Sequence, residues 1–164
     1  TLRGVASIDG RSWPAVMGDY HYSETSGTGK DRRTRNYNLS YLILETPFLG
    51  VPTLTIREEG LFDKIAGFMG FDDIDFESAE FSSRFHVKSS DKKFAYDVVH
   101  PRMMEFLLSG EPPSIELQRG CCLLYDGNRC WEPEKFRSTL AWANAFFDRW
   151  PDHLTDRLDV SGRT

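Results

Sequence analysis

The densest group of chemistry-bearing side chains in this sequence is the carboxylate run Asp72, Asp73, Asp75 and Glu77. On extended backbone successive side chains alternate, so Asp73, Asp75 and Glu77 share one face while Ile74 and Phe76 take the other. Three carboxylates on one side form an oxygen set that can hold a divalent cation. A twelve-residue calcium loop opened at Asp73 needs Gly in sixth place and Glu in twelfth, and those places hold Ser78 and Arg84. The run therefore reads first as a solvated acidic edge, with a divalent-metal-dependent enzyme as the last-ranked alternative. No metal site and no cofactor are expected.

Asp19 and His21 stand two residues apart, the spacing at which a carboxylate on one strand face orients an imidazole for general base work. No nucleophile accompanies them. The chain has neither a Gly-x-Ser-x-Gly elbow nor a His-Glu-x-x-His pair, so no catalytic residue is assigned and a polar sheet face is expected. A histidine hydrogen-bonded to Asp19 is the next case. Gly27-Thr-Gly-Lys30 departs from a phosphate-binding loop twice, with Glu24 where the first Gly belongs and Asp31 where Ser or Thr follows the Lys. Cys121, Cys122 and Cys130 are odd in number, and two are adjacent, where a mutual disulfide is strained. They read as small buried core residues of a protein in a reducing, cytoplasmic setting.

Two features carry more weight. Residues 23–36 hold Lys30, Arg32, Arg33 and Arg35 against Glu24 and Asp31, a net +2 within a chain of net −5. Residues 58–80, by contrast, hold eight acids and one Lys. The basic segment reads as a flexible loop between strands, with the four cations as candidate anion-binding donors for a headgroup, a phosphate or an acidic partner. Nucleic acid is not the expected partner, since overall acidity opposes the phosphate attraction that dominates such binding. Near the C-terminus, Phe136, Leu140, Ala143, Phe147 and Trp150 form a narrow helical stripe, and Trp142 and Phe146 widen the apolar arc to about 160°. Trp142, Phe146 and Arg149 are the candidate partner interface, for another protein or for self-association.

The elements that must position these groups follow from periodicity. Val16, Tyr20 and Tyr22 alternate with Met17, Asp19 and His21, and Tyr37, Leu39, Tyr41 and Ile43 repeat the period of two. Leu42 and Leu44 make that strand apolar on its second face, which predicts a central strand covered on both sides toward its end. Short strands are expected over residues 53–57 and 81–88, and a helix over 61–69. Asp91 is read as the cap of a further helix, broken at His100 by Pro101, which starts the next one. Ser114 to Tyr125 predicts two strands around Arg119-Gly120, and Pro133 and Pro151 bracket a long terminal helix. The order predicts an α+β fold, a largely antiparallel sheet packed by short helices and a long C-terminal helix. A pleckstrin-homology-like sandwich fits it, as do other helix-on-sheet folds.

At 164 residues and 40% hydrophobic composition, one core and one domain are expected over residues 1–155, with a flexible tail over 156–164. The longest apolar region, 39–56, contains Glu45, Pro47, Gly50 and Pro52 and does not suit a transmembrane helix. The opening Thr1-Leu-Arg-Gly4 is expected to be trimmed from a longer start.

The run Phe71-Asp-Asp-Ile-Asp-Phe-Glu-Ser78, Glu80-Phe81, Phe85-His-Val87 and Lys93-Phe-Ala-Tyr-Asp-Val-Val-His-Pro-Arg-Met-Met-Glu-Phe-Leu-Leu108 resembles a family of uncharacterised bacterial domains. Gly18-Asp-Tyr-His-Tyr22 and Glu58-Glu-Gly-Leu61 are similar too, so the resemblance covers most of residues 1–155. It supplies no activity. It implies a domain that follows an N-terminal membrane segment in the longer protein. Together these readings favour a non-enzymatic interaction or regulatory module with a protein partner. A small-ligand or anion binder using residues 23–36 is the alternative.

Overall fold

Two tight turns set the register of the sheet. Asp9 (φ 49°) and Gly10 (φ 69°) both take positive φ, the backbone of a type I′ turn, and fold β1 (Leu2–Ile8) onto β2 (Arg11–Ser26) with Ile8 opposite Arg11. Arg119 (φ 52°) and Gly120 (φ 77°) repeat this between β6 (Ser114–Gln118) and β7 (Cys121–Tyr125), the hairpin that the sequence predicts. The structure, a computed structural model, describes residues 1–58 and 70–158. The helix expected over 61–69 lies outside the described residues.

With β3 (Arg33–Glu45), β4 (Leu54–Glu58) and β5 (Phe85–Ser89), the strands form one seven-stranded sheet in the order β1-β2-β3-β7-β6-β4-β5. Every pairing is antiparallel. The chain is thus α+β with an antiparallel sheet, as its pattern predicts. On β3, Leu42 and Leu44 are fully buried while Tyr41 and Ile43 are half-buried on the opposite face. Both faces of this strand are therefore covered to some degree, most strongly on the helix side.

Among the described residues five short-to-medium helices pack on the Leu42 face: α1 (Ala79–Arg84), α2 (Lys92–Val98), α3 (Pro101–Leu108), α4 (Pro133–Asp148) and α5 (Asp152–Leu158). Asp91 caps α2, its carboxylate accepting from the Lys93 (2.9 Å) and Phe94 (3.2 Å) amides. His100 then stands at the N-cap of α3 with Pro101 in the first turn. Trp150 gathers the core aromatics, with Phe48 stacked at 5.5 Å, Phe94 edge-on at 5.8 Å and Phe147 tilted at 5.1 Å. These contacts tie the loop after β3 and helices α2 and α4 into a single core.

Two sequence expectations are corrected. Residues 81–88 are not one strand, because the Ser78 hydroxyl accepts from the Phe81 amide (3.2 Å) and starts α1, so β5 begins only at Phe85. Of the tail expected over 156–164, residues 156–158 are helical, and 159–164 lie outside the described residues. The Pro151 carbonyl accepts from the Leu154 and Thr155 amides, and Leu154 and Leu158 are buried. Asp97 of α2 holds α5 in place through Arg157 (3.3 Å) and His153 (3.8 Å), with Lys93 at 3.1 Å on its own helix. Burial alone would raise the Asp97 carboxyl; the hydrogen bonds and charges of Lys93 and Arg157 outweigh it and hold the group below its usual range.

The opposite sheet face carries a buried polar network. Arg57 donates to Glu116 Oε1 (2.5 Å), and the Tyr125 hydroxyl donates to the same oxygen (2.9 Å). Burial, then the Glu116 charge, raises the Tyr125 phenol above its ordinary value. Among the described residues no helix is long and apolar enough to cross a membrane.

Candidate functional site

β2 and β3 outrun their neighbours. β1 follows β2 only as far as Met17, and β7 follows β3 only from Tyr41. Beyond those points residues 19–26 and 33–40 pair only with each other among the described residues, in eight rungs from Asp19 opposite Ser40 to Ser26 opposite Arg33. At 3.3 Å per residue the result is a two-stranded arm about 26 Å long.

An isolated hairpin is marginal in water, so the arm's order needs a source. One face is a ladder of cross-strand hydrogen bonds: Ser40 to Asp19, His21 Nδ1 with Asn38 Oδ1 (2.6 Å), Ser23 to Asn36 (2.7 Å), and Thr25 with Thr34 (3.2 Å). The other face is aromatic near its base, with Tyr22 stacked on Tyr37 at 4.6 Å and Tyr20 tilted against Tyr22 at 5.7 Å. The segment after β7 anchors the base, where the Ser40 amide donates to the Arg129 carbonyl (2.9 Å) and the Trp131 amide donates to the Ser40 hydroxyl (2.7 Å). At the tip, Gly27 has φ 86°, and a Cβ there would lie 2.4 Å from the Asp31 carbonyl oxygen. Only glycine closes this turn.

The four candidate anion-binding cations sit on this arm, Lys30 in the single 3-10 turn Gly29–Asp31, Arg32 after it, and Arg33 and Arg35 on β3. All are exposed, and none of their side chains has an ion pair or hydrogen bond with another described residue. Glu24 lies directly across from Arg35 but accepts the Tyr37 hydroxyl instead (3.4 Å). Arg33 and Arg35 alternate onto the face that carries Tyr20 and Tyr22. Burial, then the Glu24 charge, raises the Tyr22 phenol, which keeps it a neutral donor. Residues 23–36 were expected to form a flexible loop; instead β2 continues to Ser26 and β3 begins at Arg33.

The C-terminal candidates are placed differently. Phe146 is fully buried, which corrects its reading as part of a partner interface. α4 docks on α3 as well as on the sheet, so its buried arc is wider than a single stripe. Trp142 is half-buried and stacks on Phe106 of α3 (5.4 Å) and on Phe146 (5.4 Å). Arg149 lies 4.0 Å over the Phe106 ring and donates to the Ala145 carbonyl (2.6 Å). Internal contacts therefore engage all three residues.

The remaining groups are also engaged. Asp73 pairs with His86 (3.1 Å) and Lys88 (3.7 Å) on β5, while Asp75 and Glu77 are exposed and Ile74 is buried as its alternation predicts. Among the described residues no group of three or more metal-ligating side chains gathers. Asp19 and His21 take separate partners across β3. His100 Nε2 meets the Arg149 carbonyl at 2.9 Å. Only Cys122 is a core cysteine; burial, then neighbouring Cys121, raises its thiol above the ordinary range. Cys121 is half-buried at the end of its hairpin and Cys130 is exposed in the connection after β7, which corrects the expectation that all three are core residues. An open groove of about 660 Å³ between α3 and the α4–α5 junction includes Arg102, Arg149, Asp148 and Asp152, whose charges cancel.

The sequence gives the arm's cations and tyrosines but not their joint placement, which depends on the register between β2 and β3. No protein-family model, curated protein or solved structure matches this chain.

Proposed function

We propose that this chain is an interaction module that works by contact with a protein partner, and that the β2–β3 arm is its contact element. The observation that carries this reading is the set of four cations, without partners among the described residues, beside exposed tyrosine on a ribbon whose own hydrogen bonds are made. Tyr and Arg are enriched where binding energy concentrates, because both bury large, flat surfaces and still donate hydrogen bonds. A ribbon ordered in advance loses little further entropy on binding. The α4 flank is a weaker choice because its aromatic rings already pack on one another.

Replacing Tyr20 (56% exposed) by p-benzoylphenylalanine tests the reading in cells that make the full-length protein, with Tyr96 (49% exposed) on α2 as the control position. Light-dependent adducts from position 20 and none from position 96 are expected. Adducts from neither position, or equally from both, contradict it.

A second reading, small-anion binding, draws on the same four cations. A thermal shift with inositol hexakisphosphate that disappears in Arg32→Gln/Arg33→Gln and shrinks as salt rises would favour it over a protein partner.

A further inference from the structure

We infer that the outer edge of the arm, residues 18–26 of β2, takes up an added strand from an extended acidic segment of a partner protein. The inference rests on the arm being the contact element and names the chemistry of its partner.

An edge strand turns a row of N–H and C=O groups outward, and such rows pair with another chain unless they are blocked. The edges of this sheet differ in that respect. The β5 edge is short, and the Ile74 amide donates to the Val87 carbonyl (2.8 Å), so the segment before α1 already covers it. The outer edge of β3 within the arm is met at its base, by the Asn128 side chain at the Asn38 amide (2.5 Å) and by the Arg129 carbonyl at Ser40, and not over residues 33–37 among the described residues. Among the described residues neither the β2 edge of the arm nor the outer edge of β1 has such cover, and of the two only the arm edge lies beside Arg33 and Arg35.

β1 leaves that edge by geometry. At Thr1 the hydroxyl reaches the Tyr41 hydroxyl on β3 (3.1 Å), and the Thr1 Cα lies 2.9 Å from where a Cβ on Gly18 would stand. Thr1 therefore lies over the sheet face, with a glycine beneath it. Residues 19–26 follow with neither Pro nor Lys, the residues that commonly block an edge.

Charge selects the guest. A strand added to β2 lies two spacings from β3, about 10 Å, a span that an Arg and a Glu side chain bridge between them. Arg33 and Arg35 project from β3 on the Tyr20 face, with Lys30 and Arg32 at the turn, so carboxylates on the guest meet unpartnered cations. Of the β2 carboxylates, Asp19 lies on the other face and is held by Ser40, while Glu24 lies across from Arg35 and accepts from Tyr37, so Arg33, Lys30 and Arg32 carry most of the attraction. Main-chain bonds would then supply affinity and alternate side chains specificity, the pattern of strand addition.

The test uses the intact chain and a fluorescein-labelled decapeptide of alternating Glu and Val at low salt, read by anisotropy. Binding is expected, at least tenfold weaker for Arg33→Gln/Arg35→Gln, whose melting temperature should match the parent. It is also expected to be tenfold weaker for a peptide N-methylated on one set of alternate residues, and nearly unchanged for the peptide methylated on the other set. Equal binding by both methylated peptides overturns strand addition, because charge alone then explains the contact. No peptide binding, or preferential binding of duplex DNA or phosphatidylserine vesicles, overturns the acidic-segment assignment. A salt-insensitive dimer of the free chain joined through this edge also overturns it, since a second copy then occupies the site. If adducts still form from position 20, the arm remains a contact element and only the strand-addition inference is lost.

Discussion

The arm and the α3–α4 flank both join aromatic rings to arginine, and they use the pair in opposite ways. On the flank, Phe146, Trp142 and Phe106 stack in succession and Arg149 closes the stack over Phe106, so rings and guanidinium satisfy one another within the fold. On the arm, tyrosines stack along one face, but Lys30, Arg32, Arg33 and Arg35 have no ion pair or hydrogen bond with another described residue. Composition alone does not separate a core contact from an interface. What separates them is whether the charged group still lacks its counterpart once the chain has folded.

The comparison predicts a large stability effect on one side and almost none on the other. Phe146→Ala should cost about 3–5 kcal/mol in chemical denaturation, the range for truncating a buried Phe. A loss below about 1 kcal/mol would mean that the ring sits at a surface. Gly27→Ala should cost about 1–2 kcal/mol locally, because alanine resists positive φ and meets the Asp31 carbonyl. Faster amide exchange confined to the arm is the expected sign.

A smaller, pH-dependent effect sits at Asp97. Its carboxyl titrates lower in the folded chain than in the unfolded one, so the docking of α5 is fully supported above the unfolded value near pH 4. That support is lost as pH falls through the folded value. Amide exchange in α5 should rise there, and Asp97→Asn should remove the step. The smallest stability effect belongs to Arg33→Gln/Arg35→Gln, within about 0.5 kcal/mol of the parent, because both side chains are exposed and have no ion-pair partner among the described residues.

Local signals were legible where they are complete in a few residues. The Asp91 cap, Pro101 and Pro133 at helix starts, and the Arg119-Gly120 turn all read correctly because each acts on its own backbone. Asp9-Gly10 carries an equally strong hairpin signal, yet β1 went unread because Leu2, Val5, Ala6 and Ile8 do not alternate cleanly. Phe81 and Phe85 fit a helical spacing as well as a strand, and the Ser78 cap decides between them. Pro151 read as an end, and it is equally the start of α5.

The arm was misread for a different reason. Gly, Ser and Thr make residues 23–36 look like a loose loop, and the bonds that order them join residues on opposite strands. The width of the buried arc on α4 likewise depends on α3 lying beside it, which periodicity along one helix does not encode.

The most direct test of the arm as the place where an acidic segment adds a strand is an NMR titration of the ¹⁵N-labelled chain with the Glu/Val decapeptide. The account predicts shifts confined to the arm, centred on residues 18–35, with slower amide exchange along residues 19–26. Shifts centred on Trp142 and Phe106, or none at all, would contradict it.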